Sequence, residues 1–215
     1  MSSAAERSPP PLRHAARRPA GFSNRELSTI AVLASLHFAV SFAARLLGGV
    51  LYVFLGPWSV YVDGIASEAI PCLITATTVV LVPRVGTAGL SILTVWLLNA
   101  VVTGTFTATS LVQVSVSVVV HEAILFALRA THLRRVDVAA TTLERFFTSL
   151  TTALGVGAAN AGALYIQFYI SMQYFKLHFD AWYIHSVALL TGFVYGGIGA
   201  AIGARWALDL RRTAP

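Results

Sequence analysis

Six long apolar runs, set off by short joints that hold most of the charge, decide what this chain can fold into. They are Leu27 to about Leu47, Gly64 to Val82, Gly86 to Thr105, Leu111 to Leu128, Leu150 to Phe175 and Trp182 to about Leu208. Each approaches the ~20 residues that a helix needs to cross about 30 Å of hydrocarbon. The runs are continuous rather than alternating, which argues against a membrane β-barrel. The sequence therefore predicts an all-α fold, an integral membrane bundle of six helices.

Composition supports lipid as the main solvent. Of 215 residues, 56% are hydrophobic and 11% charged, and the mean hydropathy is +0.73; a soluble domain carries roughly 25% charged residues. Three divisions follow: a disordered N-terminal tail over 1–24, rich in Ser, Pro, Ala and Arg, a transmembrane domain over 25–210, and a short C-terminal tail over 211–215. Between the first two apolar runs, Gly48 to Val62 is aromatic but interrupted by Gly48, Gly49, Gly56 and Pro57. Too short to span, it reads as a re-entrant or lid-like segment.

Charge supplies the orientation. Cytoplasmic joints hold an excess of Lys and Arg. With the N-terminus inside and six crossings, one side collects Arg7, Arg13, Arg17, Arg18, Arg25, Arg84, Arg129, Arg134, Arg135, Arg145, Arg205, Arg211 and Arg212. Only Arg45 and Lys176 of the 15 basic residues fall on the other. An odd number of crossings destroys that partition, so both termini are expected in the cytoplasm.

The same distribution argues against a nucleic-acid partner, because the arginines form no stripe along a phosphate backbone. No Gly-x-x-x-x-Gly-Lys phosphate loop is present, so ATP hydrolysis by that route is excluded. His121-Glu122 lacks the second histidine of a zinc protease site, and Asp63, Asp137, Asp180 and Asp209 are scattered. The chain thus reads as a non-catalytic protein without a metal or cofactor, and its lone Cys72 forms no internal disulfide.

Candidate ligand groups are the polar side chains of the helices: Asn99 on the third, Gln113 and Glu122 on the fourth, Tyr165 and Tyr169 on the fifth. Glu68 lies near the outer end of the second helix as a rim partner, and Trp58 offers a stacking wall. Apolar walls with a few convergent polar groups suit a small molecule. Glu122 sits roughly 17 Å into its helix at ~1.5 Å per residue. An ionised carboxylate there costs several kcal/mol unless paired, and ligand contact or a structural hydrogen bond both answer that. His37 and His121 read as structural. On the first helix Ala31, Ser35, Ala39 and Ala43 recur every fourth residue, a small-residue face that packs within the chain or docks a separate membrane protein.

With these features the chain resembles the substrate-binding S components of energy-coupling factor (ECF) transporters. The resemblance rests on the size, the Ala31/Ser35/Ala39 face, the Gly48–Gly64 loop and the inside basic bias. Within that family, Gly56-Pro57, Val82-Pro83-Arg84-Val85-Gly86 and His121-Glu122-Ala123 look most like the YkoE-type thiamine or hydroxymethylpyrimidine group. The resemblance implies capture of a vitamin or precursor from outside. It also implies docking through Ala31, Ser35 and Ala39 on a coupling membrane protein that carries two ATPase subunits. Two departures stand out: serine at 35 replaces the usual alanine, and Asn99 stands where an acid is common. A stand-alone secondary transporter, a membrane enzyme and an assembly protein are the alternatives.

Overall fold

The structure is a computed structural model that describes residues 21–128 and 142–213. It contains only helices among those residues. Arg7, Arg13, Arg17, Arg18, Arg129, Arg134, Arg135 and Asp137, and the expected tail up to residue 20, lie outside them.

The first helix, α1, is Asn24–Leu55. Ser23 caps it: its hydroxyl accepts from the Glu26 amide while the Glu26 carboxylate accepts from the Ser23 amide at 2.8 Å, a reciprocal capping box. Residues 21–24, assigned to the disordered tail, are therefore part of the fold. Gly48 and Gly49 do not interrupt the helix; it runs on until Gly56, whose φ of 54° ends it. The expected re-entrant segment is thus two further turns of α1, the tight turn Gly56–Trp58 and the short helix α2, Ser59–Gly64. Gly48 is needed there for space, because a Cβ at 48 would stand 3.1 Å from the Asp63 carboxylate.

After α2 the chain widens into a π turn, Ile65–Ala69, and continues as α3, Ile70–Leu81. The chain doubles back between α1 and α3. Arg84, just beyond α3, forms a 2.8 Å ion pair with Glu26 at the start of α1 and donates to the Gly21 carbonyl at 2.8 Å. Phe22 lies beneath its guanidinium, 5.9 Å from ring centre.

Then follow α4, Thr87–Thr103, α5, Ala108–Ala127, and α6, Thr142–Tyr174. The short α7, Ala181–Ser186, leads through a second π segment, Val187–Tyr195, into α8, Gly196–Thr213. The helix thus continues past 210, into the expected C-terminal tail as far as Thr213. Four helical stretches, Asn24–Leu81, Ala108–Ala127, Thr142–Tyr174 and Ala181–Arg211, are long and apolar enough to cross a membrane, and Thr87–Thr103 is a shorter apolar helix. Large apolar residues face outward on the long helices, among them Val32, Val101, Val119, Leu154 and Ile198.

The centre is α3, buried from Pro71 to Val80 apart from Leu73. Its hydroxyls stay inside because they bond within the helices. Thr78 donates to Ile74 O, and Thr77 reaches both Leu73 O at 2.8 Å and Gly203 O at 3.1 Å. Two glycines of α8 make the closest contacts with this centre. A Cβ at Gly199 would land on the Ala69 carbonyl, and one at Gly203 on that of Leu73, so α8 meets α3 almost backbone to backbone. Such close approach maximises dispersion contact where apolar surroundings give helices little other reason to associate.

Gly203→Ala is expected to destabilise the fold by about 1–3 kcal/mol through overpacking. Gly49→Ala, with nothing within 4 Å of the added methyl, is expected to be neutral or slightly stabilising. Thermal unfolding of both variants in detergent checks the contrast.

Candidate functional site

A cavity of about 470 Å³, partly open to the outside, lies among α1, the first π turn with α3, α4, α5 and α6. Each helix supplies one face at helical spacing. From α1 come His37, Ser41 and Arg45, four residues apart; α4 gives Ile92, Val95, Trp96 and Asn99. On α5 Gln113, Ser117 and His121 line it, and on α6 Asn160, Leu164 and Gln167. The π turn brings Ser67 and Glu68. Such widened turns shift the register of a helix and recur at functional sites.

The polar lining is cross-linked rather than loose. Asn160 Nδ2 donates to Glu68 Oε2 at 2.7 Å. Arg45 Nη1 donates to Asn99 Oδ1 at 2.8 Å, and Gln167 Nε2 donates to Ser117 Oγ at 2.9 Å. His121 Nδ1 lies 2.8 Å from the Ser117 carbonyl. A carbonyl only accepts, so neutral His121 carries its proton on Nδ1 and keeps Nε2 as an acceptor. Two buried atoms of the lining, His37 Nδ1 and Trp96 Nε1, have no hydrogen-bond partner among the described residues. Buried groups of this kind ordinarily find one.

A second, wider cavity of about 870 Å³ lies at the end of the bundle away from Arg84. Its walls include Tyr52, Pro57, Asp63, Phe179, Trp182 and Tyr183. Phe179 and Tyr183 stack with ring centres 6.3 Å apart. Arg45 lines both cavities and stands between them.

Three of the seven ligand residues expected from sequence meet in the inner cavity: Glu68, Asn99 and Gln113. Glu68 is a wall residue there rather than a rim partner. The other four lie elsewhere. Tyr165 and Tyr169 are two residues to either side of the inward Gln167, about 200° around the helix, and are 45% and 61% exposed. Tyr165 instead stacks on His185, 5.6 Å between ring centres. Trp58 is 66% exposed on the turn after α1, 5.9 Å from the ring of Tyr61.

Glu122 is the largest correction. Its carboxylate accepts from the amides of Gly86 at 2.9 Å and Gly89 at 2.8 Å. It therefore caps the N-terminus of α4, where orphan amides and the helix dipole favour a negative charge. Gly86, with φ 92°, makes the turn that presents its N–H. The two motifs Val82–Gly86 and His121–Ala123 are thus two halves of one structural contact, at the Arg84 end of the bundle. His121, read as structural, does line the cavity.

Sequence reasoning set aside His37 as structural and passed over Arg45, Trp96 and Asn160 as site residues. A readable signal existed: His37, Ser41 and Arg45 form a four-residue polar repeat on an otherwise apolar helix. Offset from it by two positions, about 200°, runs the repeat Ala31, Ser35, Ala39 and Ala43. All four of those residues are exposed, so the small-residue face is not consumed by packing within the chain. Among the described residues no three His, Cys, Asp or Glu side chains converge as a metal site. No family model, curated protein or solved structure matches this chain.

Replacing Glu122 with Ala leaves two amides without their acceptor, which costs about 1–3 kcal/mol each when buried. Glu122→Ala is expected to lower the unfolding midpoint in detergent sharply, while Tyr169→Ala leaves it within about 0.5 kcal/mol, as surface changes do. Parallel melting curves decide the point.

Proposed function

We propose that this chain is the substrate-capture subunit of an ECF-type importer, a membrane protein that takes a vitamin or vitamin precursor from outside. The carrying observation is the cavity of about 470 Å³ between the helices with its two unpartnered lining atoms, joined at Arg45 to an aromatic vestibule. Its volume falls in the range of ~300–1,000 Å³ usual for small-molecule sites. The thiamine or pyrimidine class is the one the sequence resemblance implies. Glu68, Asn99 and Gln113 remain as ligand contacts, joined by His37, Trp96 and His121.

In this reading the doubled-back stretch Asn24–Leu81 crosses twice, and each of α4, α5, α6 and α7–α8 once. Six passes leave both termini in the cytoplasm beside Arg84, Arg145, Arg205 and Arg211. Ligand enters through the vestibule beneath the apex of α1 and α2, and passes Arg45. It then exchanges hydration for the fixed donors and acceptors of the inner cavity. Ala31, Ser35 and Ala39 supply a surface on which a coupling protein approaches closely, and two separate ATPase subunits drive release. The outward exposure of that face, on the helix whose opposite face lines the cavity, is what supports docking.

One observation favours a second reading. Glu68 is an acid held inside the cavity by Asn160, so a stand-alone proton-coupled carrier has its coupling residue there rather than at Glu122. Uptake that persists without any ATPase and vanishes in Glu68→Gln selects that alternative.

The direct test is purification of the full chain in mild detergent followed by mass spectrometry of the small molecules that leave with it. A thiamine-class compound is expected, with occupancy lowered about tenfold or more in Asn160→Ala, equivalent to ~1.4 kcal/mol. An empty extract, together with no binding across a vitamin panel, ends the capture reading. Ala39→Leu is expected to abolish uptake in cells while leaving binding intact; unchanged uptake removes the docking half.

A further inference from the structure

At the Arg84 end, away from the ligand cavity, a third pocket of about 410 Å³ opens between the start of α6 and α8. Arg145 and Arg205 line it, with Phe146 and Ile202 beside them and Asp209 at one edge. Its arginines differ from their neighbours. Arg84 is engaged by Glu26, and Arg211 donates to the carbonyls of Val80 and Leu81. Arg145 has only a loose partner: its Nη1 lies 3.7 Å from Asp209 Oδ1, a carboxylate 58% exposed. The buried Nε of Arg145 has no hydrogen-bond partner among the described residues. Ser149 donates to the Ala201 carbonyl at 2.9 Å and ties the two pocket walls together.

Beside these cations the surface is apolar and outward-facing. Phe146 is 61% exposed and Ile202 54%, and Leu150 and Ile198 continue the strip along α6 and α8. A guanidinium pair at the foot of an apolar strip matches a molecule with an anionic head and a hydrocarbon tail. Basic pockets between helices on the arginine-rich side of a membrane protein bind acidic lipid headgroups, and the planar fork of arginine suits phosphate oxygens.

We propose that this pocket holds the headgroup of an anionic phospholipid, with its phosphate between Arg145 and Arg205 and an acyl chain along Phe146, Leu150, Ile198 and Ile202. The apolar strip selects a lipid over a free phosphate ion. Asp209 competes with the phosphate for Arg145 and weakens the site. The inference needs only the membrane-embedded part of the reading above, so it stands or falls apart from ligand capture.

The test uses the full chain in mild detergent, mixed with phosphatidylglycerol or with phosphatidylcholine of the same acyl chains, and counts retained lipid by native mass spectrometry. Phosphatidylglycerol is expected to be retained in preference. Arg145→Gln and Arg205→Gln each lower retention by roughly fivefold, and the Arg145→Lys/Arg205→Lys double variant restores part of it. Asp209→Asn raises retention. Equal retention of both lipids, or no loss in the double glutamine variant, overturns the proposal. Displacement by millimolar inorganic phosphate also overturns it and leaves a free-anion site. If Asp209→Asn only lowers thermal stability and leaves lipid retention unchanged, the arginine is a structural ion-pair partner and the proposal fails.

Discussion

Polar groups enclosed by an apolar bundle must find their partners inside it, and this constraint shapes the molecule from cap to cavity. An apolar setting offers no water to bond a stray amide, and helices are the only regular secondary structure among the described residues. Side-chain hydroxyls along α3 and α6 turn back on carbonyls four residues earlier. Where a helix begins inside the bundle, as α4 does, a carboxylate from another helix closes the open amides. The inner cavity is one place where the accounting is left open. There Asn160 holds Glu68 and Asn99 holds Arg45, while His37 Nδ1 and Trp96 Nε1 have no partner among the described residues.

The two faces of α1 meet different surroundings. His37, Ser41 and Arg45 face the cavity, and the exposed alanine-rich repeat lies about 200° away. A small movement of this helix is therefore felt on both sides. Close packing elsewhere restricts such movement. The glycine seam of α8 against α3 allows almost no free space, which makes the α3–α8 pair the frame against which α1 and its apex can shift.

Much of the architecture was legible because periodicity and composition act locally. All six apolar runs fall on helices, with boundaries shifted by a few residues at most ends and by eight at the starts of α6 and at the end of α1. The site was legible only in part. Glu68, Asn99 and Gln113, picked for polarity alone, line the cavity, whereas Glu122, for which a ligand contact and a structural hydrogen bond were both open, takes the structural bond. Tyr165 and Tyr169 lie outside the cavity lining, because an aromatic ring with a polar tip suits a binding wall and an outward-facing helix surface alike. His37 was read as structural and Arg45 only as a charge, although their four-residue spacing with Ser41 marked a shared face.

From its sequence alone the chain is an all-helical protein with apolar helices long enough for a membrane, with its basic residues in the joints and a small-residue repeat on the first helix. These follow from hydropathy and the 3.6-residue period, which need no knowledge of neighbours. Tertiary structure decided the rest: which acid caps a helix and which faces the cavity, which face of α1 turns inward, and where a π turn redirects Glu68. Each of those depends on how helices are rotated against one another, and a rotation of half a turn exchanges inside for outside without altering a single residue.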